Sequence, residues 1–233
     1  MTSRGGGGGG GVHGNERTGL AAHLRVETRE LHTLAERAGI MPALLRGQLD
    51  RRSYCALLRN LHPIYAALEA GLARHATHAV VGPVVFPALF RLAALADDLR
   101  VLHGPAWNDE LPLQLAAVAY AQRLHDIATA SPELLVAHAY VRSLGDLSGG
   151  QLLRGIVAKS LGLDSDAGTS FYAFGPPADV SRHLQAFRAA LNALPTDPAS
   201  GEAIVAEARA AFERHAVLFE QLAAAGPATT LRR

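Results

Sequence analysis

From Leu20 to Ala225 the apolar positions return every three or four residues, the spacing that gathers them on one side of an α-helix. This period predicts helices near 18–38, 51–76, 87–103, 110–130, 132–161, 179–193 and 199–225. Glycine and proline punctuate the chain between them, at Gly39–Pro42, Gly82–Pro83, Gly104–Pro105, Ser131–Pro132, Ser165–Pro177 and Pro195–Pro198. No stretch alternates with period two over a useful length and no internal repeat is present. The pattern therefore predicts an all-α fold, a single-domain multi-helix bundle over residues 18–226. Residues 1–17 include the run Gly5–Gly11 and hold too little apolar surface to join a core, so they read as a disordered tail. Residues 227–233 read as a flexible C-terminus.

One predicted helix contains residues that oppose it. Ser131-Pro132-Glu133 supplies a capping serine, a proline at the first helical position and an acid in the first turn, and Lys159 followed by Gly162 supplies a stop. Between them lie Gly145, Gly149 and Gly150, which together cost roughly 3 kcal/mol against alanine in a helix interior. In so alanine-rich a chain, bare backbone there needs a reason. Gly145 and Gly149 are four apart and share a face, and Gly150 directly after favours a kink. A flat, bulky ligand lying on the main chain is one explanation. Close approach of a neighbouring helix is the other.

Composition changes this picture mainly by exclusion. A formal net charge of +1, with no basic run and no base-stacking aromatic set, gives no footprint for nucleic acid. Cys55 is the only cysteine, which removes any internal disulfide or multi-cysteine metal site and favours a reducing, cytoplasmic setting. The most apolar window, Ala79–Phe90, is broken by Gly82, Pro83 and Pro87, too short and interrupted to span a bilayer. No hydrophobic leader segment is present, so a soluble protein without a membrane anchor is expected.

The first predicted helix carries a second constellation. Arg25, Arg29, His32 and Glu36 are spaced by four, three and four, which places them within about a 100° sector of one face. Two arginines below a histidine and a carboxylate above it suit an anionic, metal-bearing ligand. The imidazole would ligate the metal, the arginines would pair with carboxylates, and Glu36 would accept the second ring N–H and fix its tautomer. A solvated, salt-bridged face is the competing reading. His75 and His78, three apart, could share a metal but sit at a helix end and read as exposed. Gly150 and Gly155 have the glycine spacing of a phosphate loop, but Ile156 stands where lysine is needed and no strand precedes. No Glu-x-x-His pair supports a di-iron bundle, and no Gly-x-Ser-x-Gly elbow is present.

Taken together, the histidine face and the glycine face form opposite walls of a slot, and the segments that carry them resemble a known family. Glu30-Leu-His-Thr-Leu-Ala-Glu36, Ile64-Tyr-Ala-Ala-Leu-Glu69, the run from Pro132 to Gln151, and Ala210-Ala-Phe212 through Leu218-Phe-Glu-Gln-Leu222 closely resemble haem oxygenases, in order, over about residues 20 to 225. That resemblance implies haem sandwiched between a proximal and a distal helix. It implies His32 as ligand of the iron and Glu36 as its hydrogen-bonding carboxylate. Gly145, Gly149 and Gly150 fall on the distal helix, and Asp146 on the acid that holds water near the iron-bound oxygen. Tyr65 and Arg142 match the surrounding hydrogen-bonding groups. Arg25, Arg29, Tyr140 and Arg188 match positions around the haem propionates, and Phe212 and Phe219 match the pocket wall.

The activity so implied is oxygen-dependent cleavage of haem to biliverdin, CO and ferrous iron. Haem serves as substrate and as the group that activates dioxygen, and electrons come from an external donor such as ferredoxin or flavodoxin with its reductase. A monomer is expected. The departures are Leu184, where some relatives carry a propionate-binding lysine beside Arg182 and His183, His215 in place of an asparagine of animal forms, and Val141 in place of a threonine. The first bears on which bridge of the macrocycle is cut. Two other readings stay open here: a haem carrier or sensor on the same scaffold that does not turn over, and a thiamine-degrading type of helical enzyme. The latter would need a catalytic cysteine, and Cys55 sits on neither wall.

Overall fold

The computed structural model describes residues 19–164 and 166–226, so the predicted tails over 1–17 and 227–233 lie outside the described residues. Ten α-helices carry the described chain: α1 (Leu20–Arg37), α2 (Met41–Leu45), α3 (Arg51–Arg74), α4 (Leu92–Leu102), α5 (Trp107–Glu110), α6 (Leu115–Ala130), α7 (Leu135–Ala139), α8 (Gly145–Leu161), α9 (Pro177–Asn192) and α10 (Pro198–Ala225). No strand occurs among the described residues. The all-α expectation holds.

The centre is α3, which packs mainly on α6 and α4, while α1 lies along α10. Leu58 and Ile64 of α3, Leu95 of α4 and Leu124 of α6 are fully buried. Each contributes about 1.5–3 kcal/mol by leaving water. Asp50 caps α3 by accepting from the Ser53 N–H at 2.8 Å, and Asp197 caps α10 by accepting from the Ser200 N–H at 3.0 Å. At Gly39 (φ +49°) a side chain would collide with the Phe219 carbonyl, and this close approach lets the Ile40 N–H donate to that carbonyl at 3.3 Å. The crossover ties α1 and α2 to α10, and so sets the spacing of two walls described below.

Several boundaries differ from the pattern. The Gly39–Pro42 break contains the start of α2, because Pro42 sits in a first turn where no N–H is required. The stretch read as a helix from 87 begins with a separate 3₁₀ turn, Pro87–Leu89, and α4 starts only at Leu92. Its first N–H groups are satisfied from another helix: Glu69 of α3 accepts from Arg91 and Leu92 backbone N–H groups. The helix expected over 110–130 begins only at Leu115, after Pro112, as α6, and the short α5 starts in the break expected before it.

The long helix expected over 132–161 follows one path but changes its winding three times. A 3₁₀ turn at Pro132–Leu134 leads into α7, a π-helical segment spans Tyr140–Leu144, and α8 begins at Gly145. Ser131 makes no side-chain cap. Gly162 terminates α8 as expected, left-handed at φ +62°, with the Leu163 N–H on the Ala158 carbonyl at 2.9 Å. The sequence favours a kink at Gly150. The irregularity falls in the π-helical segment instead, and Gly150 lies in the regular part of α8.

Candidate active site

Glycine placement decides between the two explanations for bare backbone in α8. A methyl group built on Gly145 or on Gly149 would meet no atom within 4 Å, so no neighbouring helix requires either glycine. Their shared face opens onto a cavity of about 340 Å³, walled by α1, α2, α3, α8 and α10 and by the turn at Ser170–Tyr172. Gly150 differs. Its missing side chain would touch the Phe174 ring and the Tyr172 carbonyl, both at 3.5 Å, and it does not line the cavity. Two glycines face open space, and the third serves packing. Gly150, expected among the ligand-binding residues, faces Phe174 and Tyr172 rather than the cavity.

Across the cavity from the glycines stands His32, with Ala35 and Glu36 of the same helix. His32 Nδ1 lies 3.7 Å from Glu36 Oε1, an ion-pair separation longer than a hydrogen bond. The expected Nδ1–Glu36 pairing is thus present in orientation but not closed. It leaves Nε2 as the nitrogen available to a ligand. The ring meets Phe212 edge-on at 5.7 Å, and both side chains of the His32–Glu36 pair are about half exposed (51% and 49%).

The α8 wall is built differently. Asp146, which is buried, accepts from Arg142 Nη2 at 2.7 Å and from the Tyr65 hydroxyl. Arg142 Nε donates to Tyr65 Oη at 2.7 Å, and Nη1 reaches His215 Nε2 at 3.2 Å. Burial pushes the Asp146 carboxyl up, and the Arg142 charge and the Tyr65 hydroxyl oppose it. Burial disfavours the Arg142 charge, yet Asp146 and Tyr65 more than reverse this and hold the guanidinium above its ordinary value. Burial likewise raises the Tyr65 hydroxyl, so its proton stays on oxygen. The Phe171 ring braces Tyr65 edge-on at 5.4 Å. Phe171 is itself pinned by fully buried Asp98, which accepts from the Ser170 and Phe171 backbone N–H groups at 2.8 Å each.

A second cavity, about 290 Å³, shares His32, Val141, Gly145, Ser148 and Phe212 with the first. It adds Arg25, Arg29, Tyr140 and Arg188, so three arginines from α1 and α9 converge at one end of the slot. The Tyr140 hydroxyl and Thr28 Oγ1 are 3.2 Å apart, and Thr28 also donates to the Leu24 carbonyl at 2.7 Å. Burial raises the Tyr140 hydroxyl, against pull from Thr28, Arg25 and Arg188. A larger groove of about 790 Å³ continues outward between α1 and α9, but it holds only the arginine end and neither His32 nor the glycines. His32, the glycine face and the Asp146–Arg142 pair line the two inner cavities.

The structure thus gathers His32, Glu36, Gly145, Asp146, Gly149, Arg142, Phe212 and Phe219 around one cavity, and Arg25, Arg29, Tyr140 and Arg188 around its extension. Tyr65 joins through its bonds to Asp146 and Arg142. Arg182 pairs with Asp179 on its own helix at 2.9 Å, and Leu184 packs on the core, so neither substitutes for a lysine in the slot. His75 and His78 are half-buried rather than exposed. His75 Nε2 meets the Ala128 carbonyl at 2.7 Å, and His78 Nδ1 accepts from the Val80 and Val81 N–H groups. Among the described residues no cluster of His, Cys, Asp and Glu could hold a free metal ion.

Sequence reasoning missed Met41, Leu44 and Leu45 of α2, Leu57 and Leu61 of α3, Ser148, and the Phe171–Tyr172 pair. Aliphatic wall residues look like any other core positions. The aromatic pair within a glycine- and proline-rich break was the one usable signal.

Comparisons with known proteins place the chain among relatives of one family. The family described as heme oxygenase matches residues 18–221. Heme oxygenase 1 of Nostoc sp. is 38% identical over 203 residues, 87% of this chain and 85% of that one. Human heme oxygenase 1 is 40% identical over 205 residues, 87% of this chain and 71% of that one. The crystal structure of heme oxygenase-2 from Synechocystis sp. in complex with heme and NO superposes with a TM-score of 0.85 at 40% identity, over 88% of this chain and 85% of that one.

Proposed function

The chain belongs to the haem oxygenase family, and from that premise we propose how its own residues carry the oxygen-dependent cleavage of haem to biliverdin, CO and ferrous iron. The observation that carries the reading is the slot: an imidazole on one side, and on the other a helix face where even a methyl group would meet nothing. These residues fit a haem. The two cavities join into a space with apolar walls, Nε2 of His32 is left to a metal, and three arginines lie where two carboxylates would leave the slot.

Bound haem supplies the iron that activates dioxygen and the macrocycle that is oxidised. His32 contributes a neutral ligand. An imidazole pushes less electron density onto iron than a thiolate does, and so favours O–O cleavage less. Glu36, whose Oε1 lies 3.7 Å from Nδ1, would orient the ring for a bound metal. Gly145 and Gly149 keep their helix face free of side chains, which would leave room for dioxygen beside a bound haem. Asp146 spends one lone pair of each oxygen on Arg142 and Tyr65 and keeps the others for ordered water. It positions water and does not itself deliver the proton. Arg25, Arg29 and Arg188, with Tyr140, set the rotation of the macrocycle and hence which bridge is opened.

Electrons come from a separate donor of the ferredoxin or flavodoxin type with its reductase, and the protein acts as a cytoplasmic monomer. None of its described helices is long and apolar enough to cross a membrane. The test is turnover. Hemin is bound, then ferredoxin with its reductase, or ascorbate, is added under oxygen. The Soret band should decay as biliverdin absorbance and CO appear. A Soret band that persists with both reductants would leave a carrier or sensor as the better reading.

A further inference from the structure

The outward groove between α1 and α9 has no role in the cleavage itself, yet it is the largest of the three spaces, at about 790 Å³. It shares Arg25, Arg29 and Arg188 with the arginine end of the slot, so the same three guanidiniums line both. None of them forms an ion pair or hydrogen bond with another described residue, and no acidic side chain lines the groove. Their charge is left for an anion. The rest of the lining is small, apolar or amide: Ala22 and Ala189 from facing helices, Val26, Gln185 and Asn192. Asn192 Oδ1 accepts from the Ala21 N–H at 3.0 Å, which fixes the amide by its oxygen and leaves its nitrogen to donate. No His, Cys or Met lines the groove, so it offers iron no ligand.

We propose that this groove is a product subsite: biliverdin keeps its two carboxylates on Arg25, Arg29 and Arg188 and moves its pyrrole chain out of the slot into the groove. There the amides of Gln185 and Asn192 meet its terminal lactams. This rests on the function proposed above. Ring opening changes what the ligand asks of the protein. The product has lost iron and its need for His32, keeps both carboxylates, and gains two lactams, each with one donor and one acceptor. Three unpaired cations, two amides, an apolar floor and no metal ligand suit that molecule better than haem. Because the arginines line both spaces, the chain can change place without either carboxylate losing its counter-charge. The slot is then free while the product is still held.

Two measurements test this, and neither needs turnover. Ala22→Trp and Ala189→Trp fill the groove from opposite walls, and neither residue lines the inner cavities. Titrated with biliverdin, each haem-free variant should bind about tenfold or more weakly than the parent, with hemin affinity within about twofold. Unchanged biliverdin affinity overturns the proposal. So does an equal loss for both ligands, which would make the groove part of the haem pocket. Slower hemin capture with biliverdin affinity intact would assign the groove to incoming haem and overturn it too. The second measurement uses the unsubstituted, ¹⁵N-labelled protein, so it decides even if the variants do not fold. Adding biliverdin should shift the side-chain NH₂ signals of Gln185 and Asn192 and leave the Gly145 and Gly149 amides in place. The reverse pattern would put the product in the slot and overturn the proposal. A parent protein that holds biliverdin in the groove but does not cleave haem would count against the family activity instead.

Discussion

The two walls of the slot are made by opposite strategies. On α1, His32 and Glu36 are half exposed, separated by 3.7 Å, and held by little beyond their own helix and the edge of Phe212. On the other side, Asp146, Arg142, Tyr65 and His215 come from four separate elements and lock one another in place while buried. The first wall is completed by what binds to it. The second is finished before anything binds. Preorganised polar groups act without reorganising during the reaction, which suits the side where water and oxygen must be placed. A ligand to iron needs less rigidity, because the metal bond itself supplies the orientation.

The sharpest way to break that contrast is to remove one member of the finished wall. Asp146→Ala leaves Arg142 buried without its counter-charge, and should destabilise the protein by about 3–5 kcal/mol. Urea unfolding measures this. Hemin affinity should stay within about threefold because His32 is untouched, while oxidation of haem should no longer lead to biliverdin. A loss below about 1 kcal/mol, or normal biliverdin production, would mean that the network is neither preorganised nor needed. The mirror experiment is His32→Ala. Hemin affinity should fall about 100-fold or more, equivalent to roughly 3 kcal/mol. Unfolding stability should move by no more than about 0.5 kcal/mol, since the side chain is half exposed. A large stability change here would erase the distinction between the walls.

The difference between the walls also governs how much of the site was legible in the chain. His32, Glu36, Arg25 and Arg29 lie on one helix, so their spacing alone put them on one face. Gly145 and Gly149 were visible as residues that cost helix stability without an evident return. Neither signal said what lay opposite. The pairing of the walls depends on α1 packing along α10 and on the Gly39–Phe219 crossover, which no local pattern encodes. His215 stood out only as a departure from related sequences, because a histidine on an apolar face looks like core until its partners are known. What a side chain at Gly150 would face was equally hidden, because Tyr172 and Phe174 are distant in sequence. The π-helical segment was likewise invisible, and its five residues Tyr140–Leu144 fit the same period as the helices around them.

A smaller effect separates the walls by pH. His215 is held at about 3 in the folded protein against about 6.5 when unfolded, so between these values only the unfolded chain takes up the proton. Stability from this group is complete above about pH 6.5 and is lost as pH falls, by about 2 kcal/mol at pH 5. Glu207, lowered to about 2 by His138 and Arg123 against the effect of burial, keeps its contribution until pH drops below its unfolded value near 4.5. It therefore leaves this window alone. Comparing the parent with His215→Asn at pH 7 and pH 5 cancels the remaining groups common to both. The parent should lose about 2 kcal/mol more than the variant, and equal losses would show that the imidazole is not held neutral.

The smallest effect bears most directly on what the bare face is for. In Gly145→Ala the new methyl group meets nothing within 4 Å, so the protein without haem should gain about 1 kcal/mol from helix propensity alone. The same methyl group projects into the space assigned to the macrocycle, so hemin binding or turnover should worsen as stability improves. Opposite signs from one substitution are hard to obtain unless the position is kept bare for a ligand. Gly150→Ala is the control. It too should gain stability, since the methyl group would make an ordinary van der Waals contact with Phe174 at 3.5 Å, and it should leave hemin binding unchanged because Gly150 does not line the cavity. If Gly145→Ala raised stability and left binding and turnover intact, the glycine would owe nothing to haem, and the finished wall would have to be drawn without it.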